Sequence, residues 1–146
     1  MTVHLIKLCV GVDTVAELED WVKERARASR KRSGKVRLEH VTRTMPKRRD
    51  EVLEGGSLYW VIKGFVQVRQ PIIGLEPRRG KDGIERCAIC FAPKLVTVMP
   101  HPHRAFQGWR YLEPKDAPGD LGAGSVKSRE DLPPELLLEL RSLGIL

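Results

Sequence analysis

One stretch constrains the fold more than any other: residues 54–76, EGGSLYWVIKGFVQVRQPIIGLE. Paired glycines open it, an apolar and aromatic run follows, the chain pivots at Gly64, and FVQV leads into Arg69-Gln70-Pro71. β-Branched and aromatic residues dominate: Leu58, Tyr59, Trp60, Val61 and Ile62, then Phe65, Val66 and Val68, then Ile72 and Ile73. Such side chains fit a pleated, half-buried surface, so the stretch reads as the central hairpin of a sheet. Tyr59 and Trp60 are adjacent and in a strand point to opposite faces. One belongs to a core, and the other is available to solvent, a partner or a ligand.

The flanking chain supplies the elements that such a hairpin needs. Residues 3–10 read as a first strand ending at Gly11. Thr14-Val15-Ala16-Glu17 has the spacing of a capping box, and the helix it starts runs to about Lys31. Val15, Leu18, Trp21, Val22 and Ala26 form its apolar stripe. Acidic residues come early and basic ones late, which complements the helix dipole. A second strand is expected over 36–42, broken by Met45-Pro46, with a short helix over 47–53 ended by Gly55-Gly56. Residues 76–82, EPRRGKD, read as a polar connection. Further strands are expected over 84–91, 95–99 and 108–112. Pro114, Pro118, Gly119, Gly122 and Gly124 mark a loop, and Leu136, Leu137, Leu140 and Leu143 then form the stripe of a C-terminal helix.

At 146 residues the chain is long enough for one substantial core. No apolar run approaches the roughly 20 residues that span a bilayer. The opening MTVHLIKLCVGVD lacks a basic start and a small-residue cleavage site, so a cytoplasmic protein with no membrane partner is expected. Three cysteines, Cys9, Cys87 and Cys90, fit reduced, buried thiols. The net charge is +7, and it is unevenly placed: residues 1–50 hold 13 Lys/Arg against 7 Asp/Glu, whereas the remainder is nearly balanced. A local basic excess is the footprint of a polyanion binder, although solubility alone also accounts for it.

Motifs for catalysis are lacking. There is no Gly-x-Ser-x-Gly elbow, Walker loop or dinucleotide fingerprint, and no cofactor is implied. Cys87-x-x-Cys90 with His101-x-His103 offers the residue types of a zinc site. Residues three apart in a strand face opposite ways, however, and the His-x-His spacing is short, so no metal is expected. Base-and-aromatic interleaving remains. Aromatic faces stack on unpaired bases, Gln and Arg read base edges, and cations neutralise phosphate. On that basis Arg43, Lys47, Arg48 and Arg49 would hold phosphate at a loop-to-helix junction with free backbone N–H groups. Tyr59, Arg69, Gln107, Trp109 and Arg110 would form the reading surface.

The segments HLIKLCVGVD, GGSLYWVIKG, RQPI and FQGWRYL together resemble a small uncharacterised bacterial family, the domain of unknown function 1489. The resemblance covers the chain up to the loop near Asp120 and implies no activity. The cysteine and histidine cluster is not part of that family's pattern. In element order the chain also looks like the pseudobarrel of PUA-like, ASCH and EVE domains, which bind RNA or modified bases in a cleft beside the barrel.

The expectation is therefore one α+β domain over 1–120, with a curved mixed sheet or partly open β-barrel and a long basic N-terminal helix. A flexible linker and a Leu-rich helix would occupy 121–146. The expected function is non-catalytic binding of RNA or a nucleotide. Two alternatives stand beside it: a protein-interaction protein or homodimer using residues 136–143 or the Tyr59 face, and an enzyme on a phosphorylated small molecule with His40, His101 or His103.

Overall fold

The central hairpin turns at Lys63-Gly64, and both residues take positive φ, +47° and +81°. Positive φ at both corners is what a two-residue turn needs to match the right-handed twist of its strands. It joins Ser57–Ile62 to Phe65–Arg79. The computed structural model describes residues 2–34 and 38–121. In chain order these form β1 (His4–Leu8), α1 (Val15–Ser33), β2 (Leu38–Thr42), α2 (Arg49–Val52), β3 (Ser57–Ile62), β4 (Phe65–Arg79), β5 (Glu85–Phe91), β6 (Val96–Pro102) and β7 (Trp109–Leu112), with a 3-10 turn at Pro114–Asp116. The expected C-terminal helix and the 136–143 stripe lie outside the described residues.

The strands make one mixed, seven-stranded sheet in the order β2-β5-β4-β3-β1-β7, with β6 added against β4. β1 runs parallel to β3, and the other pairs are antiparallel. The sheet does not close into a barrel; β2 and β7 are its two ends. α1 packs beside β2.

β4 organises this arrangement by serving two neighbourhoods. Its first half pairs with β3 and β6, and its second half, from Ile72 on, pairs with β5. The handover occurs where the register slips between Ile72 and Gly74, and a bulge there bends the strand and increases its twist. The polar connection expected at 76–82 is thus a strand as far as Arg79. Pro71, which has no N–H to give to the ladder, stands at this handover, and its carbonyl accepts from the Ala92 N–H at 3.1 Å.

All six residues of β3 are buried, so this strand is covered on both faces. One face carries the main core: Leu5, Leu18, Leu58, Trp60, Ile62, Ile89 and Phe91 among others. The opposite face carries Ile6, Tyr59, Val61, Val66 and Val98, covered by Phe106, Leu112 and Ala117. Each fully buried aliphatic side chain contributes about 1.5–3 kcal/mol relative to exposure. Within the main core Trp60 Nε1 donates to Gln70 Oε1 at 2.9 Å, and Gln70 Nε2 donates to the Ala92 carbonyl at 3.3 Å. The buried amide is therefore satisfied, as a low-dielectric site requires.

Local chemistry explains the helix as read from the sequence. Thr14 Oγ1 accepts from the Glu17 N–H at 3.2 Å, and Glu17 Oε2 accepts from the Asp13 N–H at 3.3 Å. Gly34, at φ +73°, ends the helix by donating to the Arg30 carbonyl. Leu18 and Val22 are buried, but Trp21 is 40% exposed at the margin of the stripe. Gly56 is required by close approach: a Cβ there would overlap the carbonyl oxygens of Val52 and Val3.

Candidate functional site

The two ends of the open sheet approach one another without pairing. Trp109, the first residue of β7, donates its indole N–H to the Thr44 carbonyl just beyond β2, at 2.8 Å. Around that contact lies a groove of about 690 Å³ lined by Lys7, Val41–Thr44, Gln107, Gly108 and Trp109. Gly108, at φ +72°, supplies the left-handed turn that sets Gln107 ahead of the strand. Lys7 enters from β1, where its register partners are Trp60 and Trp109, so its side chain shares their face. Among the described residues neither Lys7 nor Arg43 makes an ion pair. Burial lowers the pKa of Lys7.

The residues singled out in the sequence separate into distinct groups. Arg43, Gln107 and Trp109 meet in the groove. Lys47 is exposed in the loop before α2. Arg48 is engaged within the protein: its guanidinium bonds Glu51 at 2.6 Å and Glu113 at 2.7 Å, and it lies over the Tyr111 ring. These carboxylates raise its pKa. Its backbone N–H, expected to be free for phosphate, donates to the Tyr111 hydroxyl at 3.0 Å. Arg49 Nε donates to the Leu75 carbonyl. The short helix expected over 47–53 is a single turn, too brief to present an anion-binding terminus.

Tyr59, Arg69 and Arg110 occupy the far side of the sheet. Ile6 pairs with Tyr59 and with Arg110, whereas its neighbour Lys7 pairs with Trp109, and adjacent strand residues face opposite ways. Tyr59 is 4% exposed, so it offers no open ring face. Its ring meets His4 edge-on at 5.1 Å. Burial raises its pKa. Arg69 is clamped by Asp120 through two bonds, 2.8 and 2.7 Å, and by Ser57 Oγ at 2.9 Å. Arg110 stacks on Phe106 at 4.8 Å. The expected adjacency of Tyr59 and Arg69 with residues 107–110 therefore reduces to Arg110 alone, away from Gln107 and Trp109.

Two groove residues escaped the sequence reading. Lys7 is a single cation inside the apolar run LIKLCV, and that interruption was the available signal. Thr44 follows β2 and matters through its carbonyl, which no residue type announces.

The remaining chemistry-bearing groups are quiet. Burial pushes the Cys9 and Cys87 thiols up to about 11, which keeps them protonated at neutral pH and poorly nucleophilic. Cys87 lies in the main core while Cys90, on the other face of β5, approaches Glu39. Glu39, Glu76 and Cys90 do converge, and Arg78 already supplies the cation among them, 2.6 Å from Glu39 and 3.5 Å from Glu76. No helix among the described residues is long and apolar enough to cross a membrane.

Residues 5–146 match the family described as protein of unknown function (DUF1489), and the chain belongs to that family. No curated protein and no solved structure matches it.

Proposed function

We propose that this member of the DUF1489 family is a non-catalytic RNA- or nucleotide-binding module whose interface is the groove between β2 and β7. The observation that carries this reading is the meeting, in one concave site, of Lys7 and Arg43 with the Gln107 amide and the Trp109 indole. Both cations lack a carboxylate partner among the described residues, so neither has to be stripped from an internal pair before it meets phosphate. Lys47 is exposed in the loop before α2, and the last turn of α1 carries Arg30, Lys31 and Arg32, which add to the positive field of the protein. Trp109 is half-buried and braced by its Thr44 bond and by Tyr111, edge-on at 4.9 Å. A braced ring loses little entropy when a base stacks on it. Gln107 is exposed and has both amide donors and an amide acceptor for a base edge.

The element order of PUA-like domains, some of which bind RNA beside a barrel, agrees with this reading. The curved-sheet form of the fold and a cytoplasmic setting belong to the same proposal.

The test is binding of a short single-stranded oligoribonucleotide at increasing salt. The expected affinity falls log-linearly with salt, with a slope of about −0.7 per phosphate neutralised. Salt-independent binding, or none at the lowest salt, overturns the proposal.

A further inference from the structure

Behind the groove lies a second cavity of about 480 Å³, sharing Lys7 and Val41 with it. Its charged lining comes from three elements: Lys7 on β1, Arg25 on α1, and His40 with Glu39 on β2. Glu39 is held by Arg78 at 2.6 Å, a cation that also reaches Glu76 at 3.5 Å. Among the described residues Lys7 and Arg25 make no ion pair; the Arg25 guanidinium instead lies over the Trp21 ring, 4.1 Å from its centroid. His40, edge-on to Trp60 at 5.7 Å, sits where both cations act on it. Burial, Lys7 and Arg25 all lower its pKa, so it stands neutral at physiological pH. Two cations around a neutral imidazole in a half-enclosed site outnumber the one carboxylate of the lining, Glu39, which already has Arg78. The rest of the wall is apolar, formed by Val12, Leu18, Trp21 and Trp60.

From this arrangement, and on the reading that the groove binds RNA or a nucleotide, we infer that the second cavity receives a phosphomonoester. A monoester carries about −1.5 to −2 charges at neutral pH, which matches Lys7 and Arg25 as a pair, whereas a chain-internal diester carries one. The volume exceeds that of a phosphate group, and the apolar wall accommodates the attached nucleoside. The arginine is preorganised by its stacking on Trp21, and the neutral His40 offers an imidazole N–H as a further donor to a phosphate oxygen. The monoester has two possible sources, the 5′ end of an RNA strand lying in the groove or a free mononucleotide, and the shared Lys7 links both to the groove.

The experiment compares 5′-phosphorylated and 5′-hydroxyl forms of one oligoribonucleotide, together with a nucleoside 5′-monophosphate. Titrations use the full chain and its Arg25→Gln, His40→Phe and Arg43→Gln variants. Arg25 is exposed on α1, so its replacement leaves folding intact, which circular dichroism checks. The expected preference for the 5′-phosphate is about tenfold or more, the size of a charge-assisted contact. It is lost in Arg25→Gln and reduced in His40→Phe. Arg43→Gln weakens both RNA forms alike and keeps the preference. Binding of the monophosphate alone, abolished in Arg25→Gln, supports the cavity while overturning the groove as an RNA site. Equal binding of the two RNA ends together with no binding of the monophosphate overturns the cavity and leaves the groove standing. No binding of any probe overturns both.

Discussion

The two faces of the central sheet hold similar residue types and treat them in opposite ways. On the Tyr59 face, Arg69 meets Asp120 and Ser57, and Phe106, Leu112 and Ala117 cover the apolar surface. Residues 113–121 complete the cover: Asp120 bridges to Val98, the Met99 N–H donates to the Gly119 carbonyl, and the Leu121 N–H donates to the Thr97 carbonyl. On the Trp60 face lies the main core, but at its margin Lys7, Arg25 and Arg43 make no ion pair among the described residues. A cation with an internal partner stabilises the fold it sits in. A cation without one, held in a concavity, is available to a ligand. The contrast separates Arg69, which is paired within the fold, from Arg43, which lines the proposed binding groove without an ion pair among the described residues.

The largest effect that sharpens this contrast is on stability. Tyr59→Ala removes a buried ring and is expected to cost about 3–5 kcal/mol in denaturant unfolding. RNA affinity of the fraction that remains folded should be unchanged. Loss of RNA binding by folded Tyr59→Ala would erase the distinction between the faces. Trp109→Ala should do the converse, weakening RNA binding by about 1–3 kcal/mol through the lost stacking platform. A fluorescence titration with a single-stranded oligoribonucleotide decides that point.

A smaller effect comes from acid. The Arg69 guanidinium holds the Asp120 carboxyl below its usual value, so the unfolded chain binds the proton more readily. The stabilisation is present above the unfolded pKa near ~4 and is lost as pH falls below it. The pair is partly exposed, which limits its worth to about 1 kcal/mol. Asp120→Asn should flatten that part of the acid limb in urea melts at pH 2–5 while leaving RNA affinity at neutral pH untouched. Arg43→Gln should mirror this: stability within about 0.5 kcal/mol of the parent, but a salt slope for RNA binding reduced by about 0.7.

The smallest effect belongs to His40, whose pKa is lowered by burial and then by Lys7 and Arg25. Its neutral form is favoured in the fold, so stability should be complete above about pH 6.5 and decline as pH drops beneath that unfolded value. Melting temperatures measured between pH 5 and pH 8 should show this decline, and His40→Gln should make it shallower, leaving the share of His4, whose pKa burial and Arg69 also lower.

Much of the fold was legible because its signals are local. Gly64 and the β-branched runs around it announced the hairpin, and Thr14 and Glu17 announced the start of α1. The continuation of β4 through Pro71 and Pro77 was not legible. Prolines ordinarily end strands, and here Pro71 stands where β4 changes partner to β5 while Pro77 lies within the β4–β5 ladder opposite Cys87, a pairing that no local signal announces. The same limit applies to the site. Alternation correctly placed Tyr59 and Trp60 on opposite faces, yet it is silent about a second layer that buries both. Arg43 and Trp109 were identified as types, but their meeting depends on β2 and β7 being the two ends of one sheet. No periodicity encodes that order.

The central claim is that nucleic acid occupies the side of the sheet where cations lack partners. Photocrosslinking of a single-stranded RNA carrying 4-thiouridine, followed by mass spectrometry of the modified peptides, tests it most directly. Crosslinks are predicted at residues 42–44 and 107–109, with Trp109 foremost. Crosslinks concentrated instead on Phe106, Arg110 and the 113–121 segment that covers Tyr59 would contradict the account.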